Sequence, residues 1–234
     1  MRLFCFTLAL TMTLIFSPKA SAFDAEDIKD ATEGSCNWII EQYDPKEKVF
    51  GKDDESKDVV QLAIVLNALS DSPNDYKEGN GPFISEPVKS LLARIKEDGT
   101  FVTATPAKDE PIKRVAAALE SLNNPKYKAC LERLRALPQP IAEALSSPID
   151  TFKNAVAKLD AVKDPRSQFD NVLTIIRRAP SLMKKENTAQ IIVLAEKLIK
   201  LQKENGSFGD DIRANALALQ LLDLCYKAMT EPSK

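Results

Sequence analysis

LIKLQKENGSFGDDIRANALALQLLDLCYKAM, residues Leu198 to Met229, reads as helix, tight glycine turn, helix. The first helix carries one apolar face. The turn is Asn205-Gly206-Ser207-Phe208-Gly209, with Asp210 and Asp211 on its far side. From Ala214 to Cys225 the second helix is apolar nearly all round, broken only by Asn215, Gln220 and Asp223. A helix of that kind belongs inside a bundle. A lone helix pair cannot bury such a surface, so neighbours must stack against it.

Working upstream, the same grammar recurs. Val59–Leu69, VVQLAIVLNAL, is a second helix that is apolar all round except at Gln61 and Asn67. Ser85 and Pro87 are expected to open a helix as N-cap and first-turn proline, with Val88, Leu91, Leu92 and Ile95 as its stripe. Asn124-Pro125 and Asp164-Pro165 pair a cap with an early proline in the same way. Phe152, Ala155, Val156 and Leu159 form another helical stripe. No period-2 run stands out, and the region after the first helix, YDPKEKVFGKDDES, reads as a polar loop. The reading is all-α, with roughly ten helices of ordinary globular length. Phe50, Phe101, Phe152 and Phe208 recur at spacings of 51, 51 and 56. With Gly51, Gly99, Gly206 and Gly209 they mark the expected repeat turns, about four two-helix units in all.

The N-terminus, MRLFCFTLALTMTLIFSPKASA, has a basic residue, a short apolar run and an Ala20-Ser21-Ala22 cleavage site. It reads as a secretory signal peptide over residues 1–22, which places the mature chain, 23–234, outside the cytoplasm as one domain in a secreted or periplasmic setting. Removing Arg2 and Lys19 leaves 30 basic against 34 acidic residues, a net charge of −4. Such a balance does not favour nucleic acid. No later stretch is apolar enough for a membrane span. Cys36, Cys130 and Cys225 remain after cleavage, too few for a disulfide framework. If the first and last helices meet, Cys36 and Cys225 are the pair that a single bridge would join. The chain has no histidine. That removes Ser-His and Cys-His nucleophilic catalysis and every histidine-containing metal site. No metal and no cofactor is expected.

Gln202-Lys-Glu-Asn-Gly206-Ser-Phe208-Gly209 followed by Ala214-Asn-Ala-Leu-Ala-Leu219 resembles the repeat of the prenyltransferase and squalene-cyclase superfamily, the α/α-toroid proteins. Trp38-Ile-Ile-Glu-Gln42 with Phe50-Gly51, and Leu91-Leu92 to Asp98-Gly99-Thr-Phe101, are weaker matches; the unit near Phe152 lacks a glycine turn. The resemblance implies an α/α toroid, or an open arc of the same units. It also brings chemistry to look for. The D-x-D-D acid of polyene cyclases is absent, and the nearest acidic groups are Asp53-Asp54-Glu55 and Asp210-Asp211. The zinc set of protein prenyltransferases needs a histidine, and the thioester run of complement-type toroids is missing.

The sequence therefore points to a non-catalytic binding or scaffold protein whose partner is a protein or an apolar small molecule. One alternative is a divergent enzyme acting on isoprenoids, with Asp53, Asp54, Asp210 or Asp211 as acid. Another is a ligand carrier or a ribophorin-like lumenal subunit; Asn205-Gly206-Ser207 is a glycosylation sequon that would matter in the latter setting.

Overall fold

The computed structural model describes residues 23–51, 58–101, 110–137, 145–161 and 163–230. The signal segment and the Asp53-Asp54 pair lie outside them. The described chain is all-α apart from one small hairpin. In order it runs α1 (Ala25–Glu41), β1 (Tyr43–Asp44), β2 (Val49–Phe50), α2 (Val59–Asp71), α3 (Pro82–Leu92), α4 (Glu110–Ser121), α5 (Lys128–Ala136), α6 (Pro148–Ala157), α7 (Pro165–Arg178), α8 (Thr188–Leu201) and α9 (Ile212–Thr230), with short 3-10 turns between.

Local chemistry sets the helix starts. Asp24 accepts from the amides of Glu26 and Asp27 while the Asp27 carboxylate returns to the Asp24 amide, a reciprocal capping box at α1. Asp58 caps α2 through the Val60 and Gln61 amides. Asp164 caps α7, with Pro165 in the first turn. Asp211 accepts from the Arg213 and Ala214 amides and opens α9.

α9 is the hub. It packs against α1, α2, α7 and α8, and α2 packs in turn against α4 and α3. α2 is buried on every side, and α9 is buried on every side from Ala214 to Asp223, as their largely apolar sequences require. α5 lies on α4, and α6 on α7. The last glycine turn is seated on the first helix. Gly206 has φ 83°, and a Cβ there would stand 2.3 Å from the Gly34 carbonyl oxygen. The glycine that costs α1 helix propensity is thus also the point of close approach. Gln202 locks the contact, its Nε2 donating to the Ala31 carbonyl at 2.7 Å and to Ser35 Oγ at 2.8 Å. Phe208 packs edge-on against Phe169 of α7, ring centroids 5.7 Å apart.

Three expectations need correction. Phe152 is not at a turn; it is buried inside α6, because Ser147 and Pro148 start that helix earlier and no glycine interrupts it. α3 begins at Pro82 rather than after Ser85, so Pro87 sits inside the helix. Pro82 in the first position, after Gly81 at φ 138°, supplies the earlier start. The segment after α1 is not wholly loop. Tyr43 pairs with Phe50 and Asp44 with Val49 in an antiparallel hairpin. Asp44 accepts the Lys46 and Glu47 amides across its turn, and Lys48 takes φ 61°.

Candidate functional site

Four helices stand in a row by their contacts, α4–α2–α9–α7. The outer two of that row are tied by the buried Arg114 guanidinium of α4 and the Asp170 carboxylate of α7. Two adjoining cavities lie among these helices. The first, about 530 Å³, is lined between α4 and α7 by Lys113, Arg114, Ala117, Asp170, Thr174, Arg177 and Arg178. The second, about 580 Å³, reaches α2 and α9 and shares Ala117 and Arg177 with the first. Its apolar wall is Leu173, Ile176, Pro180 and Leu224, and its polar groups include Asn67, Asp71, Glu120, Gln220, Asp223 and Lys227.

The polar breaks in the apolar helices find their use here. Gln220 donates to the Ile64 carbonyl at 3.0 Å and accepts from Arg177 at 2.8 Å, so one amide ties α9 to both α2 and α7. Asn67 donates to Asp71 at 2.6 Å. Lys227 donates to Asp223 at 2.8 Å and to the Asp71 carbonyl at 3.0 Å. Burial pushes the Asp71 carboxyl above its ordinary value, with the Lys227 charge and the Asn67 bond pulling against it. Glu120 is paired outward with Arg135.

The residues singled out from sequence fall elsewhere. Asp210 is fully exposed, 3.8 Å from the Lys203 ammonium. Asp211 is engaged as the cap of α9. Neither lines the central cavities. Asn215 serves the turn, with Oδ1 accepting from the Phe208 amide at 2.6 Å and Nδ2 donating to the Gly209 carbonyl at 3.0 Å. Phe50 is buried next to α2, and Phe101 is half-buried in a single bridge to Ile95.

Cys36, Cys130 and Cys225 are free thiols; no bridge joins Cys36 to Cys225. Burial pushes the Cys36 thiol up to about 12 and raises Cys225 as well, with the nearby Asp223 charge adding to both. Cys36 and Cys225 are inert packing groups. Among the described residues, no three His, Cys, Asp or Glu side chains gather to hold a metal ion, and no helix is long and apolar enough to cross a membrane.

Lys113, Arg114, Asp170, Arg177 and Arg178 were not distinguished in the sequence. Their only linear signal is two basic doublets, Lys113-Arg114 and Arg177-Arg178, 64 residues apart at positions whose helices meet only in the fold. Comparison with protein-family models, curated proteins and solved structures gives no match to this chain.

Proposed function

We propose that this chain is a secreted or periplasmic, non-catalytic binding module of the α/α-toroid kind, whose ligand occupies the space among α2, α4, α7 and α9. The observation that carries the reading is the pair of adjoining cavities lined by these helices, with Ala117 and Arg177 common to both. The toroid reading draws support from two features. First, the Lys96–Phe101 and Lys203–Phe208 turns have the same hydrogen-bond layout, as units of one repeat would. Second, the first and last helices pack together, as ring closure requires.

A carbocation-handling enzyme is less well supported. Asp210 and Asp211 are remote from the cavity, and no aromatic ring is among its described lining residues. Cyclases need aromatic faces there.

Ala117 is the place to test the reading, because it faces both cavities. Native mass spectrometry of protein recovered from the export compartment is expected to show a bound small molecule, and Ala117→Trp is expected to abolish it while leaving helicity unchanged. The mature N-terminus is expected near Phe23. Ligand retained by the tryptophan variant would move the site elsewhere. Turnover of polyprenyl diphosphates by the wild type would overturn the non-catalytic reading.

A further inference from the structure

The first cavity has an unusual charge balance. Four cations, Lys113, Arg114, Arg177 and Arg178, face it with one carboxylate, Asp170. That carboxylate is already paired with Arg114. Arg177 donates to the Gln220 carbonyl oxygen and faces the Asp71 carboxylate of the adjoining cavity electrostatically. Lys113 and Arg178 are exposed at the cavity and have no hydrogen-bond or ion-pair partner among the described residues.

Part of this has a structural cause. Arg177 and Arg178 occupy the last turn of α7, where the helix dipole favours cations. The same argument fails on the other wall. Lys113 and Arg114 are the fourth and fifth residues of α4, away from the C-terminal turn where a helix dipole would favour them. Like charges converging on one concavity repel in the empty state, and an anion there relieves the repulsion. Among the acids of the adjoining cavity, Glu120 turns to Arg135, Asp223 holds Lys227, and Asp71 feels the Arg177 and Lys227 charges. The excess is therefore carried by Lys113 and Arg178.

From this geometry we infer that the α4–α7 cavity binds a small organic oxyanion of two or more negative charges. Guanidinium forks take phosphate or carboxylate oxygens two at a time, and the lysine adds a point charge. The volume admits a headgroup of that size, and the second cavity, which shares Ala117 and Arg177 with the first, lies beside it for an attached body. The inference rests on the reading of the central space as a binding site and specifies its ligand.

The test is calorimetric titration of the full mature chain at low salt with two probes, inorganic pyrophosphate and citrate, which separate a phosphate ligand from a carboxylate one. Saturable binding of at least one probe is expected. Affinity is expected to fall by about tenfold or more in the double reversal Lys113→Glu/Arg178→Glu, since two charged contacts are inverted. A control, Lys153→Glu/Lys200→Glu, changes the net charge equally on other helices and is expected to change affinity less than about twofold. Circular dichroism checks that both variants fold. No saturable binding of either probe, or equal loss in the control, overturns the inference. If both probes fail but a co-purified neutral molecule is still displaced by Ala117→Trp, the oxyanion is excluded and the binding-module reading survives.

Discussion

Lys96-Glu-Asp-Gly-Thr-Phe101 and Lys203-Glu-Asn-Gly-Ser-Phe208 make the same turn twice. In each, the glycine amide bonds the lysine carbonyl at 2.9 Å, and the lysine amide bonds the carbonyl of the following Thr or Ser, at 2.8 and 2.7 Å. In each, the Asp or Asn side chain accepts from the amide and hydroxyl two residues on. Gly99 and Gly206 take φ 81° and 83°. The surroundings differ. A Cβ on Gly206 would meet the Gly34 backbone at 2.3 Å, whereas one on Gly99 would meet the end of the Leu137 side chain at 3.2 Å. The residue before each lysine differs too: Gln202 reaches across to α1, while Ile95 bridges back to Phe101 within its own turn. A local pattern thus writes the turn, and the seat beneath it determines how much of the fold depends on it.

The largest effect is expected from Gly206→Ala. Left-handed strain of about 1–2 kcal/mol adds to a backbone clash that no rotamer can relieve. A loss of about 3 kcal/mol or more should appear as a lower urea midpoint. Gln202→Ala comes next, at about 2 kcal/mol, because it removes the donor to the Ala31 carbonyl, Ser35 Oγ and the Gly206 carbonyl together. Gly99→Ala should cost only the strain, about 1–2 kcal/mol, since Leu137 can shift. Equal losses at Gly99 and Gly206 would break the comparison.

The thiols sharpen it at smaller amplitude. Cys130, on the α5 side near the first turn, is less deeply held than Cys36 and Cys225. In native protein at pH 8 iodoacetamide should modify Cys130 first, with Cys36 and Cys225 reacting only after denaturation. Because the Cys36 thiol is raised to about 12 in the folded state, the folded state keeps a proton that the unfolded chain releases. Stability contributed by that thiol should therefore fall as pH rises from its ordinary value near 9 toward 12. Cys36→Ala should remove this part of the alkaline slope.

Helices and turns were legible because they are written locally. The apolar runs of α2 and α9, the Asp and Asn caps, and the Gly-x-Phe turns all lie within a few residues. Phe152 misled because its spacing matched the series while its neighbours, Ser147-Pro148 and no glycine, wrote a helix start instead. The β1–β2 hairpin escaped because its strands have two residues each, too few for alternation to register. The central cavity was not legible at all. Its basic wall comes from α4 and α7, which sequence separates and only their packing on α2 and α9 brings together.

Hydrogen exchange on Gly206→Ala tests the central claim, that the ends of the chain are fastened to each other at Gly34 and Gly206. The Gln202–Ala31 hydrogen bond beside it joins residues 171 apart in sequence. Protection is expected to fall in α1 and in α9 together, by similar factors. Loss confined to α8 and α9, with the α1 amides as protected as in the wild type, would contradict it.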